Sequence, residues 1–167
     1  MELCTPSEEW EAEHQAYWEE WGEEAMIPAS FDLTGYDNYH TYLQDLASKQ
    51  QGEGNWVPNS NYFLVNENER IMAMLNIRHE LNDFLRKVGG HIGYGVRPSE
   101  RRKGYATRIL REALAVCQEL KIEHVLVTCE ASNFGSAKAI INNGGIEDES
   151  YKDRAGKITR RFWIRNK

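Results

Sequence analysis

The run Val96-Arg97-Pro98-Ser99-Glu100-Arg101-Arg102-Lys103-Gly104-Tyr105-Ala106-Thr107 constrains this chain more than any other stretch. It leads from a strand-like end, through a basic turn, into a helix. A helix start leaves backbone N–H groups without partners, and its dipole adds partial positive charge there. Three consecutive basic residues precede it, while Gly104 and Ala106 leave the approach sterically open. That combination suits a phosphate or pyrophosphate.

Periodicity places elements on both sides of this run. Thr5-Pro6-Ser7-Glu8 has capping-box spacing, with Pro at the first helical position. Trp10, His14, Tyr17, Trp18, Trp21 and Ala25 then follow at helical steps, a stripe that reads as packing, and Gly22 and Pro28 mark its end. A second helix is expected over Asp37 to Lys49, with Tyr39, Leu43 and Leu46 inward, before a Gly- and Pro-containing loop from Gln51 to Asn59. Strands are expected at Tyr62–Val65, Ile71–Arg78 and Gly90–Val96. The clearest helix is Tyr105–Leu120, whose apolar stripe includes Ile109, Leu110, Ala113 and Cys117. A strand at Val125–Cys129, a helix at about Gly135–Asn142 and a hairpin of Ile146–Tyr151 with Ile158–Ile164 complete a mixed α/β chain on one central sheet.

Charge and cysteines narrow the function. The net charge is −6, yet Met1 to Ser48 holds twelve acidic residues and no Lys or Arg, leaving 20 basic and 14 acidic residues beyond it. The basic remainder suits an anionic ligand, and the acidic front argues against coating nucleic acid. Cys4, Cys117 and Cys129 lack CxxC or Cys/His spacing, so neither a disulfide framework nor a metal site is expected, and the latter two read as buried thiols. With no signal-like start and no membrane-length apolar run, a soluble cytoplasmic protein of one domain, residues 1–167, is expected.

Two nucleotide loops fail. Gly93-x-Gly95-x-x-Pro98 lacks the third glycine of the dinucleotide fingerprint, and no GxxxxGK[ST] occurs. Arg101-x-x-Gly104-x-Ala106 instead resembles the [Q/R]-x-x-G-x-[G/A] pyrophosphate loop of the GNAT superfamily of N-acetyltransferases. Asn133-x-x-Ser136, beyond the next strand, and Gly144 agree with it. The resemblance spans about Asn61 to Ile164, with residues 1–60 a more divergent helical region on the acceptor side. Asn76-Ile77-Arg78-His79-Glu80-Leu81 and Gly89 to Val96 look like a bacterial branch of predicted acetyltransferases.

The resemblance implies a mostly antiparallel central sheet splayed between its fourth and fifth strands, flanked by about four helices. It implies acetyl-CoA as co-substrate, with no metal. The pantetheine arm would pair with backbone groups of Tyr94, Gly95 and Val96. The pyrophosphate would rest on Arg101, Arg102, Lys103, Gly104, Tyr105, Ala106 and Thr107, and Asn133 and Ser136 would meet the cofactor's middle. A small-molecule or peptide amine would be the acceptor, with no nucleic-acid or membrane partner, and a homodimer is left open.

The chain departs from the family at two catalytic positions. The usual acid position holds Ile140 and the usual base position Thr128. Tyr94 and Glu130 are the substitutes by strand parity, Tyr94 as proton donor and Glu130 as base. His91 falls on the face opposite Tyr94. Arg78 and His79 border the expected acceptor pocket. The aromatic and acidic content of the first helices fits a cationic amine. The rival reading is an acyl-CoA-binding module that has lost catalysis, and a purely structural domain is a third.

Overall fold

A computed structural model of the protein describes residues 1–166. Its elements are β1 (Glu2–Cys4), α1 (Glu11–Trp21, entered through a 3-10 turn at Glu8–Trp10), α2 (Tyr39–Gln50), β2 (Asn59–Val65), β3 (Ile71–Arg78), α3 (Asp83–Lys87), β4 (Ile92–Val96), α4 (Tyr105–Glu119), β5 (His124–Glu130), α5 (Phe134–Asn142), β6 (Ile146–Lys152) and β7 (Ile158–Arg165). The strands form one sheet in the order β1-β2-β3-β4-β5-β7-β6. Every neighbouring pair is antiparallel except β4 and β5, which run parallel and share one register pair, Ile92 with Val127.

The expected alternation of helices and strands is present, with two additions. β1 and α3 are too short to show a period, at three and five residues. β1 also moves the first helix. The chain must leave the sheet at Thr5-Pro6, so helical turns begin only at Glu8, and Ser7 makes no capping bond to the backbone. Ala25, expected on the stripe of α1, lies beyond it, because Gly22 at φ 56 turns the chain away. In α2, Tyr42 is buried where Leu43 was expected, and β2 begins at Asn59, inside the expected loop.

Two cores lie on opposite faces of the sheet. One packs Ile109, Leu110, Ala113 and Cys117 of α4 and Ala137 and Ile140 of α5 on Leu75, Ile77, Ile92, Val125 and Val127. The other packs Tyr17 and Trp21 of α1 on Phe63, Val65 and Met74. The aromatic stripe is therefore packing. Its centre is His14, whose Nε2 faces the Phe31 carbonyl at 2.8 Å and whose Nδ1 faces the Tyr39 hydroxyl at 2.9 Å. A carbonyl only accepts, so Nε2 carries a proton. Burial lowers its pKa to about 4.

Beside it, Asn59, Asn61 and Asn76 form a buried amide network. The Asn76 amide donates to both other side-chain oxygens, at 3.0 and 2.9 Å. Satisfied partners let three polar side chains stay buried across β2 and β3.

Candidate active site

The gap between β4 and β5 follows from register. Arg97 N–H donates to Met72 O and Arg78 N–H to His91 O, so Gly93 and Gly95 between them turn their backbone groups to β3. The backbone groups of Tyr94 and Val96 therefore face the open side, where β5 has already diverged. Gly95, expected among the gap-facing groups, is turned away. It pairs with Met74, and its carbonyl also accepts the Tyr17 hydroxyl at 3.1 Å.

The apex of the gap is closed by a side chain. His91 N–H donates to Leu126 O at 2.8 Å, and the His91 ring Nδ1 accepts the Leu126 N–H at 3.0 Å. Burial first, then Arg78 and Arg86, lower the His91 pKa to about 4. A neutral ring is what this acceptor role requires. Thr128, at the usual base position, accepts the Gly89 N–H on its hydroxyl at 2.9 Å. Ile140, at the usual acid position, is fully buried in the core.

At the open end stands the basic turn. Arg102 at φ 65 and Gly104 at φ 89 curl the backbone before α4, and Gly104 is its N-cap residue. Among the described residues, no backbone N–H from Arg102 to Thr107 has a hydrogen-bond partner. Arg108 N–H is the first to be satisfied, by Gly104 O. A Cβ added at Gly104 would meet nothing within 4 Å. This is an open row of oriented donors.

The basic side chains of the turn are less free than the sequence implies. Arg101 pairs with Glu24 at 3.2 Å and lies over the Trp21 ring, and Lys103 pairs with Glu100 at 2.9 Å. Arg102 makes no ion pair among the described residues. Arg97, just before the turn, is buried at its side chain and held by Glu13 and Glu20 of α1. Glu20 also accepts the Ser99 N–H. The strand end is thus clamped to α1 by two carboxylates of the acidic front.

Across the gap, Asn133 accepts the Ser136 N–H on its side chain at 3.1 Å and caps α5. Ser136 Oγ lies 2.5 Å from the Tyr94 hydroxyl. Tyr94, Cys129 and Ser136 share the α4–α5 side, and burial lifts the Tyr94 pKa to about 12 despite the Ser136 contact. Glu130 is on the opposite face and exposed, with its carboxylate 2.7 Å from Lys157. The two sequence candidates for proton transfer are therefore on different sides of the sheet.

Arg78 ends β3 on the α1–α2 face. Its Nη1 donates to Gly89 O at 2.9 Å, and its Nη2 lies 3.0 Å from the position of a Cβ on Gly93. His79 faces Ser60 Oγ through Nε2 at 2.7 Å, and burial lowers its pKa. Sequence reasoning missed α3 and the carboxylates behind Arg97. The Asn59-x-Asn61 spacing, a period of two, was the available signal for the polar face of β2.

An open, largely antiparallel sheet split at its one parallel pair, with a helix-start donor row at the mouth of the split, defines an acyl-transferase architecture. The acetyltransferase (GNAT) family matches residues 2–140, and the chain belongs to that family. The match takes in the first sixty residues, which the sequence motifs alone left divergent.

Among solved structures, the ribosomal-protein-S5-alanine acetyltransferase of Vibrio fischeri superposes with a TM-score of 0.71 at 14% identity, over 98% of this chain and 92% of that one. A mutant spermidine N-acetyltransferase of Vibrio cholerae gives 0.69 at 12% identity, over 99% and 95%. A dodecameric structure of that Vibrio cholerae enzyme gives 0.66 at 12%, over 99% and 93%. At these identities the likeness is one of fold. No curated protein sequence matches the chain. No helix of the described residues is long and apolar enough to cross a membrane.

Proposed function

We propose that this protein moves the acetyl group of acetyl-CoA to a primary amine by direct attack. The observation that carries the reading is the unpartnered N–H row from Arg102 to Thr107 at the mouth of the β4–β5 gap. Those groups would hold the pyrophosphate, with Arg101, Arg102 and Lys103 around them. The Arg101–Glu24 pair is exposed, and such pairs are worth little, so Arg101 is readily released to a phosphate. Tyr94 and Val96 would pair with the pantetheine arm as an added strand, and Asn133 and Ser136 would flank its middle. Acetyl-CoA supplies a thioester carbonyl carbon, at which the amine forms a C–N bond as the C–S bond breaks.

The chain's own groups divide the remaining work. The Tyr94 N–H faces the side where negative charge develops on the carbonyl oxygen. The Tyr94 hydroxyl, protonated throughout the neutral range, donates to the departing sulfur, which keeps the bonding pair. The attacking nitrogen sheds its proton to water, and the Tyr94 oxygen regains from water the proton it gave to sulfur. Glu130 is assigned no proton, since Lys157 holds its carboxylate on the other face. The acceptor side is built by α1, α2 and α3, and a cytoplasmic setting goes with the donor.

A binding module without turnover is the second reading. It is favoured by Thr128 tied to Gly89 and Ile140 sealed in the core. Titration calorimetry with CoA and thiol release from acetyl-CoA across an amine panel separate the two. Binding with release supports transfer. Binding without release on any amine leaves the module, and no binding sinks both.

A further inference from the structure

Arg78 is a partly buried cation whose charge no carboxylate balances among the described residues. It is half-buried, and its guanidinium reaches only backbone carbonyls, Gly89 O at 2.9 Å and Gly90 O at 3.5 Å, both through Nη1. No carboxylate pairs with it among the described residues, and burial alone acts on its titration. The Nε and Nη2 edge is without an acceptor. That edge is one of the two geometries in which a guanidinium grips a carboxylate with parallel bonds.

The surroundings are made to fit. Nη2 lies over Gly93, where a Cβ would stand 3.0 Å from it, so glycine leaves room for the guanidinium against β4. Arg86 and His91 are close neighbours and add no negative charge. A half-buried cation without a counter-ion gains from an anionic ligand, and the described residues supply no carboxylate.

Position separates Arg78 from the phosphate turn. Gly93 is near the start of β4 and the turn follows its end, a strand length of about 13 Å at 3.3 Å per residue. Gly93 precedes Tyr94, whose N–H faces the gap. The free edge of Arg78 thus lies about one residue from the proposed site of acyl transfer, on the α1–α2 face.

We propose that Arg78 is the specificity determinant of the acceptor site, binding the carboxylate of a compact amine of amino-acid type. This rests on the acetyl-transfer reading above, and it replaces the cationic amine suggested by the acidic front. Glu13 and Glu20 are engaged with the buried Arg97, so they are not free to receive a polycation.

The test uses the full chain saturated with CoA. Calorimetry is run with amino acids, with the amines that lack their carboxylate, and with spermidine. Thiol release is then measured with acetyl-CoA and the same panel. The expected result is binding of amino acids at least tenfold tighter than of their decarboxylated partners. Arg78→Gln removes that preference and raises KM for the amino acid by on the order of 100-fold, while CoA affinity is unchanged.

Arg78→Lys keeps part of the preference. Gly93→Ala, which displaces the guanidinium without removing it, weakens amino-acid binding in a chain that retains Arg78. Tighter binding of spermidine or of decarboxylated amines overturns the proposal, as does an equal loss for all amines in Arg78→Gln. Amino-acid binding that depends on Arg78 without thiol release upholds the subsite and overturns transfer instead.

Discussion

The arginines beside the two ends of β4 are treated in opposite ways. At the carboxyl end, Arg97 and Arg101 are matched by Glu13 and Glu20 of α1 and by Glu24 just after it, and the free donors are backbone N–H groups. At the amino end, Arg78 has carbonyls beside it and no carboxylate. The first end is neutralised before any ligand arrives, so recognition there rests on oriented amides. The second end leaves a charge open, so recognition there rests on a side chain. Basic residues in a sequence do not by themselves tell these two devices apart.

The widest break in this comparison comes from pH. His91 at the amino end and His14 behind β2 are neutral in the fold, each with a pKa of about 4 against an ordinary 6.5. Between those values the unfolded chain binds more protons, so stability falls as pH drops from 6.5 toward 4. The His14 ring contributes roughly 3 kcal/mol over that window, and the less enclosed His91 ring contributes less. Urea unfolding at pH 7, 5.5 and 4.5 should show the decline, and His14→Phe should flatten it by at least half. A stability that holds constant to pH 4.5 contradicts the neutral rings.

Next in size is Arg97→Met, which removes one side of a buried ion cluster and should cost about 3 kcal/mol by chemical denaturation. Glu20 adds an acid dependence of its own. Burial raises its pKa, but bonds from Ser99 and Arg97 outweigh this and hold it below the ordinary carboxylate value. That part of the stability is present at neutral pH and lost as pH falls below the carboxylate range. Arg101→Met, in an exposed pair, should cost under about 1 kcal/mol. Equal losses for the two arginines would erase the distinction drawn here within the carboxyl end.

Gly104→Val tests the amide row directly. The space at Gly104 is open, but φ 89 is hostile to a branched side chain, and the added methyls would crowd the donors. CoA affinity should fall by on the order of 100-fold in a calorimetric titration. Tyr94→Phe should lower kcat about tenfold with little change in CoA affinity, since it removes one donor to the leaving sulfur. Glu130→Gln should shift stability by under about 0.5 kcal/mol and leave turnover nearly unchanged, because its partner Lys157 is exposed.

What the sequence revealed was local. The α4 stripe was legible because Ile109, Leu110, Ala113 and Cys117 repeat at helical steps, and all four are buried. The phosphate turn was legible because its strand, glycine and helix are consecutive. The clamp on Arg97 was not, since Glu20 and Glu13 stand 77 and 84 residues away. The direction of the Gly95 backbone was also hidden, because it depends on pairing with Met74 in another strand. Arg78 could be named from sequence as a border residue, but its lack of a counter-ion is a fact of three dimensions.

The single ladder contact between β4 and β5 has a kinetic consequence. Amides protected by a sheet partner exchange their hydrogens with solvent slowly, and those without one exchange fast. Tyr94 and Val96 lie in the middle of a seven-stranded sheet, yet their N–H groups have no strand to pair with. In the empty protein they should exchange like loop amides, while Met74 across the β3 ladder exchanges like core. Filling the gap with CoA should slow these two clocks together, giving a residue-level record of occupancy that needs no turnover.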